Sequence, residues 1–567
     1  MKGEQVSNNV EAPDHVHVHD DIFDVIIVGA GPCGLAIAAR LSESTPAAIF
    51  TDEEHRRYQW LRRHGRNVAL KNAKTGKISR GPITQRPRYR IAVLDATDNQ
   101  WMTRWNTLFK TYDISHLRSP MLWHVDPADR DSLLSFAHVN QRQDELIELR
   151  GCVGKEISKH KKKVKSGSRR RIQDLQSRIE INERDRNDYF TPSQKMFQEH
   201  CFSVRDKYRL DDGLVFKEEV QDISFSEIKG VSTDDEKLFT VTTDKSRRYA
   251  RAVVLAVGPA NPPKIPAVPG MPEAAKQPVP GGQCQSCHSM HIKTFPDPVV
   301  KSRAAAGMQT NVLIVGGGLT SAQLTDLAIR QGVTKVWHFM RGPCKVKYFD
   351  VDLSWMGKYK NSQQAEFWIA DSDEERLRLL SEARAGGSIT PIYHKKLKKH
   401  VSSGRLDLKT HTCISEARFI EQGVPGGGGR WKITTNPPSE LPMMDYIYWA
   451  TGIEADFRSL PYLQTMMEEY PINDCGGLPC LNDDLMWRDD VPLFVAGRLA
   501  SLKIGPASPN IGGAKLAAER IGLALGDLMA KAKVRGGLGD EDVDDDEGHI
   551  GSYLSGSGSK YSCLELA

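Results

Sequence analysis

The sequence predicts an α/β chain of two Rossmann-like units, the second inserted into the first. Two segments share one pattern: a short run rich in Val and Ile, a glycine cluster, then an Ala- and Leu-rich stretch with helical spacing. The first is Asp24-Val-Ile-Ile-Val-Gly-Ala-Gly-Pro-Cys-Gly34 followed by Leu35 to Leu41, and the second is Asn311-Val-Leu-Ile-Val-Gly-Gly-Gly-Leu-Thr-Ser321 followed by Ala322 to Arg330. A third observation closes the first unit. Far downstream, Pro492-Leu-Phe-Val-Ala-Gly497 again joins an apolar run to a glycine and precedes a helical pattern from Ala514 to Leu528.

Length and composition agree. A chain of 567 residues, 39% hydrophobic and 26% charged, is large enough for several packed cores and has the balance of a globular enzyme. A formal net charge of +5 is small for this size and gives no reason to expect a nucleic-acid partner. No apolar run approaches the roughly twenty residues of a membrane-spanning helix. The polar start, through His15, His17, His19 and Asp20, lacks the apolar core of a secretory signal. Ten scattered cysteines do not form a disulfide framework, so a cytoplasmic protein is expected.

Two segments fall outside the packed units. Lys161, Lys162, Lys163, Lys165, Arg169, Arg170 and Arg171 crowd around Ser166-Gly167-Ser168, which reads as a solvated basic insertion (151–190), with a nuclear-import patch or an acidic-partner surface as the sharper alternatives. From Gly536 the chain turns to Gly, Asp and Ser, a tail expected to be disordered. The expected organisation is a disordered 1–20, a first unit over 21–300, an inserted unit over 301–440, the rest of the first unit over 441–533, and an acidic tail over 534–567. Further buried strands ending at a glycine are expected at Ala252 to Gly258 and Asp445 to Gly452.

In the first motif Gly29 serves the tight turn, Gly31 lets the backbone approach a pyrophosphate, and Gly34 allows helix to pack on strand, with Cys33 in the first helical turn. The phosphate would sit on the helix N-terminus, where free N–H groups favour an anion. The next apolar run, Ala47-Ala-Ile-Phe50, ends at Asp52 and Glu53, about twenty residues beyond the glycines, where an acid holds ribose hydroxyls. These features predict a dinucleotide. The C-terminal partner, with Gly497, then Gly505 and Pro506 before a helix, resembles the segment with which flavoproteins of two dinucleotide domains close their FAD site, with Arg498 where they usually have an acid, and that resemblance implies FAD.

In the second motif Gly316 and Gly318 occupy glycine positions, Thr320 and Ser321 open the helix, and Ser321 replaces the third glycine. The following strand, Lys335 to Met340, ends at Arg341 instead of an acid. Arg341, Lys345 and Lys347 are therefore expected to accept the 2′-phosphate of NADPH. Gly452 ends the strand that carries Ala450-Thr451-Gly452.

Residues 22 to 530 resemble the class B flavin monooxygenases, especially the lysine and ornithine N-hydroxylase branch and its relatives, the oxidative stress-induced growth inhibitors. Three segments carry the likeness: Ala450-Thr451-Gly452, resembling the ATG motif; Cys287-His-Ser-Met-His-Ile292, similar to the HSxxY linker with Ile292 for Tyr; and His116-Leu-Arg-Ser-Pro120 with Trp123-His124 and Asp126-Pro127, similar to the flavin-side segment of the hydroxylases. The resemblance implies reduction of FAD by NADPH, uptake of O2 as a flavin C4a-hydroperoxide, and attack on it by a nucleophilic nitrogen or sulfur of a small molecule. It puts Arg118, His124 and Asn510 forward as residues near the flavin.

Two other readings compete. A flavoprotein-derived regulator would bind cofactor without turnover and act through partners. A pyridine nucleotide-disulfide oxidoreductase would use Cys284-Gln-Ser-Cys287, but such a pair is expected soon after the first glycine motif or within the second unit, and this one precedes Gly316. His288 and His291 beside it do not complete the spacing of a zinc site, and no metal is expected.

Overall fold

A computed structural model of the chain describes residues 22–43, 56, 70–71, 78–79, 89–150, 152, 183–232, 236–275, 284–356, 360–421 and 429–535. The expected strand at Ala47 to Phe50, with Asp52 and Glu53, lies outside the described residues, as do the N-terminal stretch, most of the basic insertion and the acidic tail.

In chain order the elements that build the two units are β1 (Ile22–Val28), α1 (Pro32–Leu41), β2 (Ile91–Asp95), α2 (Gln194–Lys207), β3 (Val215–Lys217), β4 (Val220–Ser226), β5 (Leu238–Thr243) and β6 (Arg247–Leu255). There follow β7 (Ser286–His288), β8 (Asn311–Val315), α3 (Leu319–Arg330), β9 (Lys335–Phe339), α4 (Asp373–Arg384), α5 (Pro391–Ser402), β10 (Leu406–Lys409), β11 (Cys413–Glu421), β12 (Gly429–Asn436) and β13 (Tyr446–Trp449). The chain then returns with β14 (Met486–Arg488), β15 (Val491–Val495) and the long α6 (Ile511–Arg535).

The first sheet runs β14-β15-β6-β1-β2-β3, and β15, β6, β1, β2 and β3 are mutually parallel. Read from β3 towards β15, the parallel strands come third, second, first, fourth, fifth in chain order, the order of a Rossmann sheet. The second sheet, β7-β13-β8-β9-β10, is parallel throughout and repeats the order around β8. Here β7 joins the second sheet from within the stretch assigned by sequence to the first unit. The lower half of β6 carries an antiparallel meander, Tyr249 opposite Thr240 on β5, while its upper half pairs with β15, Val254 opposite Phe494.

Both sheets are covered on both faces, which is why their strands are apolar at nearly every position rather than alternately. Val25, Ile26, Ile27, Val253 and Val254 are fully buried under α1 and α6. In the second sheet Val312 and Ile314 enter one core while Leu313 enters another on the opposite face, and Tyr446 and Tyr448 alternate likewise with Ile447 and Trp449. α1 begins with Pro32 in its first turn, and its glycine cap has no side chain to accept from the first N–H groups. α6 continues to Arg535, past the expected end of the packed units at 533. Among the described residues no helix is long and apolar enough to cross a membrane.

Candidate functional site: two glycine turns and the crevice between them

At the carboxyl end of β1, Gly29 adopts φ +112°, and a Cβ there would lie 2.5 Å from the Ala256 carbonyl oxygen at the end of β6. Only glycine fits. Gly34 is equally constrained, since its Cβ would stand 2.0 Å from the Gly29 oxygen, so α1 rests directly on the turn. Gly31 differs: nothing lies within 4 Å of a Cβ placed on it. Its space is open on the side where helix N–H groups emerge, the arrangement that a pyrophosphate uses. Cys33 packs against the core, and burial pushes its thiol up to about 12, so it is no nucleophile.

Asp52 and Glu53 lie outside the described residues, but the structure places another carboxylate beside the first turn. β2, the parallel neighbour of β1 on the side away from β6, ends in Asp95, whose Oδ2 accepts from Ala30 N at 2.9 Å and whose Oδ1 accepts from Thr97 N at 2.8 Å. A carboxylate at the end of this strand, beside the glycine turn, is where ribose hydroxyls are held in Rossmann sheets. Sequence reasoning missed it because a long stretch intervenes between α1 and β2. The run Arg90-Ile-Ala-Val-Leu-Asp95 was the available signal.

The second turn repeats the first. Gly316 has φ +154°, and its Cβ would lie 2.3 Å from the Ala450 oxygen at the end of β13, whereas Gly317 and Gly318 have open space. Ser321 Oγ donates to the Gly318 oxygen at 2.7 Å, replacing the third glycine with a small buried side chain, and Thr320 lies half-buried in the first turn of α3. His338 on β9, also unforeseen, sits beneath the turn: Nε2 is 2.8 Å from the Gly316 oxygen and Nδ1 is 3.1 Å from Thr325 Oγ1. Burial lowers its pKa to about 4, so it is neutral and donates from Nε2.

Arg341 is exposed just past the end of β9. Lys345 and Lys347 are engaged within the fold, Lys345 donating to the Ala385 oxygen at 2.5 Å and Lys347 paired with Asp352 at 2.7 Å. The strap 385–389 lies over this turn, and a Cβ on Gly387 would stand 3.0 Å from Gly318 N.

The carboxyl ends of the two sheets are tied together. Lys264 N donates to the Gly452 oxygen at 2.9 Å and Glu454 N to the Pro262 oxygen at 3.0 Å, joining the loops after β6 and β13. Gly497, φ +73°, ends β15, and Ser508 closes the turn over it by donating to its carbonyl. Gly505, φ +97°, and Pro506 follow, and Asn510 precedes α6, its Oδ1 accepting from Gly513 N at 3.3 Å while its Nδ2 is buried without a partner.

Arg118 is spent as a clamp, donating to the carbonyls of Tyr348 (3.0 Å), Lys347 (3.2 Å), Phe349 (2.5 Å) and Ser388 (3.4 Å) and to Ser388 Oγ (2.8 Å). His124 is wholly buried, with Nε2 on the Arg130 oxygen at 2.8 Å and Nδ1 accepting from Asp126 N at 3.2 Å. Burial first, then Lys515, holds its pKa well below the usual range. Both ring nitrogens are used within one short segment.

Cys284 and Cys287 take opposite faces of the second sheet: Cys284 packs into the core containing Leu313 and Trp449, and Cys287 into that containing Val312 and Tyr448. Both are free thiols.

A model of the pyridine nucleotide-disulphide oxidoreductase family matches residues 23–354. Solved structures share the architecture. The Kutzneria sp. 744 ornithine N-hydroxylase KtzI, with FADred, NADP+ and L-orn, is 16% identical, with 90% of this chain and 100% of that chain covered at a TM-score of 0.56. The reduced form of the ornithine hydroxylase PvdA from Pseudomonas aeruginosa is 16% identical over the same shares at 0.55. L-lysine 6-monooxygenase from Pseudomonas syringae is 17% identical, covering 89% and 99%, at 0.50. No curated protein matches.

Proposed function

The chain belongs to the pyridine nucleotide-disulphide oxidoreductase family, and from that membership we propose that it is an FAD- and NADPH-dependent oxidoreductase acting as a monooxygenase on a nucleophilic nitrogen or sulfur of a small molecule. The observation that carries the reading is the pair of glycine turns, each opening beside a loop that is hydrogen-bonded to the other's. Such a layout brings two dinucleotides to one crevice, as a hydride transfer requires. In this reading the FAD unit comprises 21–300 and 441–533 and the NADPH unit 301–440.

Bound flavin supplies the redox chemistry, accepting hydride and passing electrons to O2. The chain's own residues bind and orient. Gly31 gives the flavin dinucleotide's pyrophosphate its approach, Asp95 holds the ribose, and the first N–H groups of α1 meet the phosphate charge. Gly318 and α3 do the same for NADPH, with Arg341 reaching for the 2′-phosphate. His338 keeps the Gly316 carbonyl turned inward, away from the phosphate, which it would repel.

The ornithine and lysine hydroxylases named above support an N-hydroxylating chemistry for the fold. Cys284 and Cys287 pack against different cores, which speaks against this pair as the dithiol of the disulfide chemistry in the family's name. The deciding experiment is the visible spectrum of the purified protein followed by NADPH-driven O2 uptake. A flavin spectrum with uptake that small amines or thiols stimulate is expected. A colourless protein that neither binds FAD on reconstitution nor oxidises NADPH would overturn the reading.

A further inference from the structure

Three arginines converge where the two units meet, against one carboxylate. Arg384, the last residue of α4, reaches across to the Pro506 carbonyl oxygen with Nη1 at 2.8 Å and pairs with Asp350 through Nη2 at 2.9 Å. Arg498, directly after Gly497, makes one long contact of 3.5 Å from Nη1 to the Ile453 oxygen. Arg118 stands beside them as a fixed charge, its donors occupied by neutral carbonyls and a hydroxyl that do not cancel it. Burial lowers the proton affinity of Arg118 and Arg498, and Arg384 lowers both further by like-charge repulsion. Among the described residues Asp350 is the carboxylate that offsets them, because Asp352 is taken by Lys347.

A half-buried cluster with excess positive charge costs stability unless an anion completes it. Its position says where the anion lies. Arg498 bridges from the end of the first sheet to the loop after β13 of the second, and Arg384 leads directly into the strap that covers the Gly317–Gly318 turn. Asn510, in the turn that gives Arg384 its Pro506 partner, has the buried Nδ2 that lacks an acceptor.

We propose that Arg384 and Arg498 form an oxyanion site in the crevice, taking a phosphate of the nicotinamide dinucleotide or the carboxylate of the oxidised substrate, with Asn510 Nδ2 as an added donor. The assignment rests on the two-dinucleotide reading for what fills the crevice, but not for the charge that must be met there. Guanidinium suits either oxyanion because its planar donors match two oxygens at once.

The test has an arm without turnover. FAD-loaded full-length protein is treated with phenylglyoxal, which modifies accessible arginines, and the modified peptides are quantified by mass spectrometry with and without inorganic phosphate or acetate. Slower modification of Arg384 and Arg498 with either ion is expected. Arg384→Gln and Arg498→Gln then separate the sources.

If the anion is a dinucleotide phosphate, both variants weaken NADPH by roughly ten- to a hundredfold in anaerobic flavin reduction, while dihydronicotinamide riboside, which has no phosphate, is unaffected. If it is the substrate's carboxylate, NADPH binds as before and acetate protection of the remaining arginine is lost. Should Arg498→Gln fail to fold, Arg384→Gln and the protection arm still decide. Absence of protection by both ions, or a loss confined to FAD affinity, would overturn the site. Absence of FAD with protection by phosphate intact would sink the oxidoreductase reading and leave the site standing.

Discussion

The Asp95 carboxylate accepts the backbone N–H of Ala30 at 2.9 Å, so the end of β2 is fastened to the first glycine turn although some sixty residues separate them, an interval of 65. Asp95→Ala should therefore weaken FAD by roughly ten- to a hundredfold, the loss of a charge-assisted hydrogen bond of about 1.5–3 kcal/mol. Fluorescence titration of apoprotein with FAD measures it. Wild-type affinity would leave Asp95 as a tie for the turn alone.

Gly31 separates binding from folding. A Cβ there meets no atom of the described residues within 4 Å, so Gly31→Val should keep its thermal transition and lose flavin. Gly29→Val should lose both, because its Cβ meets the Ala256 backbone and its φ of +112° strains any branched residue. Full FAD occupancy in Gly31→Val would contradict the placement of the pyrophosphate.

Preference for NADPH over NADH should rest chiefly on Arg341, since Lys345 and Lys347 already have partners in the fold. Arg341→Ala is expected to raise the NADPH dissociation constant roughly ten- to a hundredfold and to leave NADH unchanged. Stopped-flow reduction with both nucleotides gives the ratio. An unaltered preference would move the 2′-phosphate elsewhere.

Replacing both Cys284 and Cys287 by Ser should leave flavin reduction by NADPH at the wild-type rate, because the two thiols face different cores. Some loss of thermal stability is expected from placing a hydroxyl at the half-buried Cys287 site. A collapse of the reduction rate with folding intact would restore a thiol relay.

Glu218 provides a pH test of the first unit's framework. Its hydrogen bond with Arg248 (2.6 Å) lowers its pKa from the ordinary 4.5 to about 2. A depressed carboxylate stabilises the fold above its unfolded value, and that stabilisation is lost as pH falls through the folded one. Glu218→Gln should thus be less stable than wild type by about 1–3 kcal/mol at neutral pH, with the difference shrinking between pH 4.5 and about 2. Denaturant melts across that range would show it, and a constant difference would deny the ion pair its part.

Much of this molecule was legible in its residues. Both glycine turns, their flanking strands and the returning Val491–Val495 strand follow from apolar runs broken by glycine, a local signal that tertiary packing reinforces. The acid was harder. Spacing along the chain pointed to Asp52 and Glu53, outside the described residues, while the strand beside β1 ends in Asp95. A fingerprint counts residues along the chain and says nothing of which strand lies alongside β1. His338 was equally invisible, because a buried histidine under a turn has no sequence signature apart from its strand. Arg118, put forward beside the flavin, is committed to backbone carbonyls, a use that only the folded path of 347–349 and 388 reveals.

β6 changes partners midway, its first residues paired with the meander and its last with β15. One strand thus serves two masters, and the division falls along its length. The half nearest the crevice is held by parallel neighbours on both sides, Val253 to Leu255 between β1 and β15, so its register is fixed by residues that also shape the glycine turn. The other half pairs with the start of β1 on one side and carries the meander on the other. Variation in the meander can therefore accumulate without reaching the chemistry, which makes the β4–β5 hairpin the place where this fold has room to diverge, acquire an insertion or accept a fused label while the crevice stays intact.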